Sequence, residues 1–63
     1  MKQPILNQSG KVKGFTNDIG NRVIIEDEQG KLLGFYEKNH DRTYNRSGAI
    51  MGKGNQIMIL LEN

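Results

Sequence analysis

The amino-acid sequence predicts an all-β domain built from antiparallel hairpins, and three observations support this prediction. The same pattern occurs three times, in which an Asn or Asp is followed three positions later by one Gly and four positions after that by another; the copies begin at Asn7, Asp27 and Asn45. The segments after these turns alternate between apolar and polar residues, which is typical of strands. No stretch has a sustained helical period, and the eight glycines interrupt the chain too often for a helix of ordinary length.

The repeated pattern is typical of a tight β-turn. An Asn or Asp at the first position can accept a hydrogen bond from the backbone two residues on, and a Gly at the fourth position supplies the positive φ that joins the turn to the next strand. We therefore expect positive φ at Gly10, Gly30 and Gly48. Three such turns predict three hairpins.

The second glycine of each copy is expected to lie inside a strand. Alternation with period two predicts that this glycine is on the same strand face as the apolar residue two positions earlier. The pairs that would share a face are Val12 with Gly14, Leu32 with Gly34, and Ile50 with Gly52. A glycine inside a strand costs packing and entropy, so its recurrence indicates close backbone approach or a sharp bend. We expect the hairpins to converge at these glycines.

Seven strands are predicted, near residues 4–7, 11–16, 22–26, 31–37, 42–45, 49–53 and 56–61. The connections between hairpins are short and rich in polar turn formers. The last predicted strand, from Ile57 to Leu61, is apolar on both faces, unlike the others. We expect it either to lie centrally, against an N-terminal strand around Ile5 and Leu6, or to be covered by a second subunit.

Length and composition limit the classes of protein that remain. A chain of 63 residues forms one domain, 1–63, and buries only about 60% of the surface that its unfolded form exposes. The absence of cysteine excludes disulfides and thiolate metal sites, so stability must come from tight turns, a ligand or oligomerisation. The net charge of +2 does not favour nucleic acid as a partner. No signal peptide or membrane span is recognised, so a cytoplasmic protein without membrane contact is expected.

The repeats resemble a known family. Units with the core D-x-x-G-K-x-x-G, seen as EDEQGKLLGF and more weakly as LNQSGKVKGF and YNRSGAIMGK, resemble the small bacterial domains called four-fold β-flowers, from Ile5 to Leu61. They are also similar to WG-type and MORN-type hairpin repeats, although the tryptophan of the first and the Tyr-x-Gly of the second are missing. The resemblance implies three to four antiparallel hairpins in a pseudo-symmetric flower or small barrel, and it implies little about activity. Only three turns of this kind occur in the sequence. Either the terminal strands complete a fourth unit, or the symmetry is looser than the four-fold symmetry of the family.

Two charged clusters were considered as sites of chemistry. His40 has an adjacent carboxylate in Asp41, but neighbouring side chains on a strand point to opposite faces and a polar turn is open to water, so a solvated turn is the better interpretation. The acidic run from Glu26 to Glu28 lacks the longer loop that a calcium site requires, and we interpret it as a surface turn. The sequence therefore predicts no enzyme, no catalytic residue, no cofactor and no metal.

Basic residues interleaved with aromatic residues form the remaining signal. The candidate residues for contact with nucleic acid are Lys11, Lys13, Lys31, Arg42 and Arg46, on strand faces shared with Phe15, Phe35 and Tyr44. Small β barrels bind single strands with such surfaces. The commoner interpretation is that lysines shield strand faces and aromatic residues fill the outer core, and nearby acidic residues favour it.

Three functions follow from these observations. The leading prediction is a non-enzymatic interaction module that forms a homo-oligomer, with no protein partner identified. A nucleic-acid-binding small β barrel is the first alternative, for which we expect no binding at physiological salt. A binder of a small molecule or glycan at the hub where the hairpins meet is the second alternative.

Overall fold

In the computed structural model, which describes residues 1–61, six strands form one antiparallel sheet. The strands are β1 (Lys2–Leu6), β2 (Val12–Asp18), β3 (Arg22–Asp27), β4 (Leu32–Glu37), β5 (Arg42–Asn45) and β6 (Ile50–Lys53), and a helix, α1 (Ile57–Leu61), follows them. Strands that follow one another in the chain are neighbours in the sheet, so β1 and β6 are its two edges. The prediction of an all-β domain of antiparallel hairpins is confirmed. The sheet is open, and closure into a flower or a barrel is not confirmed.

The three turns have the predicted chemistry. The Asn7 Oδ1 atom accepts hydrogen bonds from the backbone N–H groups of Ser9, at 2.8 Å, and Lys11, at 3.0 Å. Asp27 and Asn45 accept the equivalent bonds in their own turns. The glycines at the fourth position have φ values of 83° at Gly10, 85° at Gly30 and 89° at Gly48, as expected.

A bulge directly after each turn changes which residues share a face. In the first hairpin Ile5 pairs with Gly14, whereas the next residue, Leu6, pairs with Val12. Because Ile5 and Leu6 are adjacent on a strand, their partners lie on opposite faces of the sheet. The same shift separates Leu32 from Gly34 and Ile50 from Gly52. The prediction that each apolar residue shares a face with the second glycine is therefore wrong, since the bulge adds one residue to the alternation.

The segment predicted as a seventh strand is a helix. The chain leaves β6 through Gly54, whose φ is 78°. The fully buried Thr43 hydroxyl then fixes the next residues, because it donates a hydrogen bond of 2.6 Å to the carbonyl of Gly54 and accepts one of 2.8 Å from the N–H of Gln56. The prediction of a central strand against β1 is wrong as well, since β1 pairs only with β2 among residues 1–61. Five consecutive apolar residues have no period that separates strand from helix.

Helix α1 packs on the sheet face that carries the second glycines, which we call the helix face. A Cβ atom placed on Gly14 would lie 2.6 Å from Leu61 Cδ1, and one placed on Gly34 would lie 2.5 Å from Leu60 Cδ1. Close approach at these two glycines is therefore confirmed, and the approaching atoms belong to this helix and to the backbone carbonyls of Glu26 and Tyr44. The buried hydrophobic residues of the chain, Ile25 and Ile57, belong to the sheet and to the helix respectively.

Candidate functional site

The opposite face of the sheet, which we call the open face, carries three of the four aromatic side chains. Gly14, Ile25 and Gly34 are on the helix face, so their strand neighbours Phe15, Ile24 and Phe35 alternate onto the open face. Tyr44 is paired directly with Phe35 and lies on the open face beside it. The helix that residues 1–61 contain lies on the other side of the sheet. The three aromatic residues are half-buried, and they form the most distinctive surface of the molecule.

Cations lie over two of these rings. The Lys2 Nζ atom is 4.8 Å from the centroid of Phe15, and the Arg22 guanidinium carbon is 4.5 Å from the centroid of Phe35. Phe35 and Tyr44 stack with their centroids 5.1 Å apart and an interplanar angle of 21°. Cation–π contacts and offset ring stacking each contribute about 0.5–1.5 kcal/mol at partly exposed sites. The open face is thus ordered by contacts between its own side chains.

Positive charge is concentrated on the open face. The registers place on it five of the nine basic residues, Lys2, Lys13, Arg22, Arg42 and Lys53, and two of the seven acidic residues, Glu26 and Glu37. Five positive against two negative charges give this face +3, whereas the four basic and four acidic residues elsewhere in residues 1–61 balance each other. Lys2 pairs with Glu26 at 2.8 Å and Arg22 with Glu37 at 3.3 Å. In residues 1–61 no carboxylate lies within 4.0 Å of the charged atoms of the other three cations.

Aliphatic side chains occupy the turn end of the same face. The bulges direct them outward, and we call them the aliphatic row: Leu6, Val12, Leu32, Ile50 and Met51, which are 55%, 37%, 41%, 63% and 40% exposed. Four of the five cations lie at the opposite ends of their strands, since Lys2, Arg22 and Arg42 begin strands and Lys53 ends one. The open face therefore has an apolar end at the turns and a cationic end at the connections between hairpins.

The five basic residues predicted from the sequence do not form one surface. Lys13 and Arg42 lie on the open face, and the Arg42 Nη1 atom donates hydrogen bonds of 3.1 Å to the carbonyls of His40 and Asp41. The other three are exposed at the turns: Lys11, Lys31 and Arg46.

Sequence reasoning missed three cations of the open face, Lys2, Arg22 and Lys53. Each is two residues from another open-face residue of its own strand, and this spacing was visible in the sequence. What the sequence did not show was the register that aligns the strands. The cationic end is therefore a property of the sheet rather than of any single segment.

The connections between hairpins hold a second set of polar contacts. The carboxylate of Asp18 accepts hydrogen bonds from the N–H of Gly20 at 3.0 Å and from Lys38 Nζ at 2.9 Å, and these two donors lower the pKa of Asp18 below its ordinary value. The Tyr36 hydroxyl donates a 2.7 Å hydrogen bond to Asp41, which raises the pKa of Tyr36. The Asp18–Lys38 contact joins two neighbouring connections, whereas the Tyr36–Asp41 contact lies within one hairpin, and both are at the surface.

Of the two charged clusters, His40 and Asp41 lie in a turn, whereas the acidic run begins in strand β3 with Glu26 and only ends in a turn. His40 is exposed in the connection between β4 and β5, as the sequence interpretation expected. In the acidic run, Glu26 faces Lys2, Asp27 accepts the backbone bonds of its turn, and Glu28 is exposed. Residues 1–61 contain no group of three or more His, Asp or Glu side chains placed to hold a metal ion.

The hub where the hairpins were expected to meet is filled by the chain itself. Leu60, Leu61 and Gln56 pack against the second glycines, and the described part of the chain encloses no pocket. The same residues contain no helix long and apolar enough to cross a membrane. No protein-family model, curated protein or solved structure matches this chain. The resemblance to four-fold β-flowers stays a prediction.

Proposed function

We propose that this protein is a non-enzymatic interaction module that self-associates through the aliphatic row. The observation that carries the proposal is the distribution of apolar side chains. Two hydrophobic residues are buried, Ile25 and Ile57, whereas nine large hydrophobic residues are exposed within residues 1–61. A chain of this size has little core to stabilise it, and exposed apolar side chains grouped at one end of a sheet face are candidates for a contact site.

The position of the aliphatic row makes it a better candidate for the self-association surface than the other exposed hydrophobic residues. Five of the nine exposed hydrophobic residues belong to the row. The row lies at the turn end, away from Arg22, Arg42 and Lys53. Two copies can therefore meet there without bringing these three cations together.

The magnitudes predict weak association. Full burial of a Leu or Ile side chain contributes about 1.5–3 kcal/mol, so ten side chains from two copies, each about half exposed, contribute on the order of 10 kcal/mol. The loss of translational and rotational freedom costs on the order of 4–15 kcal/mol. These terms are similar in size. With the cost at the lower end of this range the net is about 6 kcal/mol, which corresponds to a dissociation constant on the order of tens of micromolar. The expected assembly is therefore a weak, reversible dimer rather than an obligate one.

Sedimentation equilibrium and thermal unfolding over a range of protein concentrations test this proposal. We expect the melting temperature to rise with concentration, because association stabilises the folded chain by mass action. The variant Ile50→Lys should be monomeric and should lose this dependence, while its monomer stays folded, since Ile50 is 63% exposed. The matched control is Ile19→Lys, at a residue that is 52% exposed between β2 and β3 and outside the row. It should associate as the parent does.

Two outcomes would overturn the proposal. One is a parent protein that sediments as a monomer at concentrations well above the expected dissociation constant and melts at a temperature that dilution does not change. The other is an equal effect of the two Lys variants, which would show that the row has no special role.

A further inference from the structure

We infer that the cationic end of the open face binds single-stranded nucleic acid, with its bases on the aromatic rings and its phosphates on the neighbouring cations. This function goes beyond self-association and uses other residues. The surface consists of Phe15, Phe35 and Tyr44 together with Lys2, Arg22, Arg42 and Lys53.

The sheet places the rings and the cations in adjacent rows. Ile24, Phe35 and Tyr44 are paired across β3, β4 and β5, and the residues two positions away form the next paired row, Arg22, Glu37 and Arg42. Lys53 extends that second row onto β6. Two residues along a strand span about 7 Å, so a base on a ring and its phosphate on a cation can be contacted from one strand. This alternation was not visible in any single segment of the sequence.

Charge complementarity favours an anionic partner. The open face carries +3 whereas the other charged residues within 1–61 balance each other, so the field over this face is positive although the total charge is small. A second copy that presented the same cationic end would bring like charges together. Within residues 1–61, Arg42 and Lys53 of the cationic end have no carboxylate at salt-bridge distance, and they are available to phosphates. A third phosphate contact comes from Lys2 or Arg22 when a stacked base displaces it from its ring.

The aromatic rings favour nucleic acid over an acidic peptide or an anionic lipid. Lys2 and Arg22 cover the faces of Phe15 and Phe35, so these ring faces are occupied by long side chains of the open face. The side chains of both cations are exposed, at 49% and 43%, and can move aside for a base. A base that stacks on the ring replaces the cation–π contact, and the displaced cation can then contact the phosphate.

Fluorescence anisotropy of a labelled oligothymidine with the full chain tests the inference. We expect binding at about 0.05 M salt and, with three phosphates neutralised, a slope of roughly −2 in log affinity against log salt. Between about 0.05 M and about 0.2 M salt the affinity should then fall roughly 20-fold. The variant Tyr44→Leu, which keeps an apolar side chain in the sheet, should weaken binding about tenfold with the slope unchanged, because it removes only stacking.

A matched pair of charge variants separates the open face from the turns. We expect the double variant Arg42→Gln with Lys53→Gln to lose most of the binding and to reduce the slope. The control, Lys31→Gln with Arg46→Gln, removes the same charge from exposed turns and should bind within about twofold of the parent. Because Arg42 also contacts its own turn, the single variants Lys53→Gln and Lys31→Gln repeat the comparison at two exposed residues.

Four results would overturn the inference. They are no binding at about 0.05 M salt, equal losses in the two double variants, binding of polyglutamate as tight as that of the oligonucleotide, and tighter binding to vesicles that contain anionic phospholipid. The last two would assign the surface to an acidic peptide or to a lipid surface instead.

Discussion

Glycine is required at two kinds of position in this chain, for different physical reasons. Gly30 has a φ of 85°, and a Cβ atom placed on it would meet nothing within 4 Å. At Gly34 φ is not in the left-handed region, but a Cβ atom would collide with the carbonyl oxygen of Tyr44 and with Leu60. The first kind is a backbone requirement that the turn pattern predicts. The second is a packing requirement, and its cause lies far away in the sequence.

The replacement Gly30→Val tests the backbone requirement. We expect it to lower the free energy of unfolding by more than about 1 kcal/mol, which is the cost of a β-branched residue in the left-handed region. Steric overlap cannot explain such a loss, since the space around Gly30 is open. The control is Gly30→Asn, which should lose less because Asn tolerates this conformation. Urea unfolding of both variants gives the comparison, and a Val variant as stable as the parent would contradict the proposed turn.

Helix α1 is an element that only the sheet can stabilise. An isolated helix of five residues does not form in water, because nucleation costs more than so few hydrogen bonds return. The helix begins where it does because Thr43 binds the backbone at Gly54 and Gln56, and it stays on the sheet because the second glycines leave room for it. None of these causes lies within residues 57–61. This is why the sequence predicted a strand there.

A pair of alanine variants tests how closely the helix and the sheet must approach. In Gly34→Ala the new Cβ meets a backbone carbonyl of Tyr44, which cannot move without breaking the sheet, so we expect a loss of about 1–3 kcal/mol. In Gly52→Ala the nearest atoms belong to the end of the Gln56 side chain, at 2.9 Å, and this end can rotate away. Its expected cost is below about 1 kcal/mol. Urea denaturation measures both, and equal losses would contradict the packing argument.

At the scale of the whole molecule, the sequence predicted the parts better than their arrangement. The turns at Asn7, Asp27 and Asn45 were predictable because their chemistry is local. The sheet face on which Val12 lies was not predictable, since one bulge residue reverses the alternation of side chains along β2. Lys13 and Arg42 were identified as candidate binding residues, but their neighbours on the open face come from other strands and depend on register. Register is a property of the sheet, and a single segment does not contain it.

The helix and the sheet are expected to unfold as one unit, and Ile57→Ala tests this. Ile57 is 4% exposed and is one of the two buried hydrophobic residues, so its truncation should cost about 2–5 kcal/mol. Small domains have about 5–15 kcal/mol in total, so this single change should remove a large share of the stability of the sheet as well. The matched control is Met58→Ala, in the same helix at a residue that is 43% exposed, and it should cost less than about 1 kcal/mol. Thermal unfolding followed both by circular dichroism and by tyrosine fluorescence should give coincident transitions, shifted far down in the first variant only. An Ile57→Ala protein whose sheet melts at the parent temperature would show that the sheet does not need the helix.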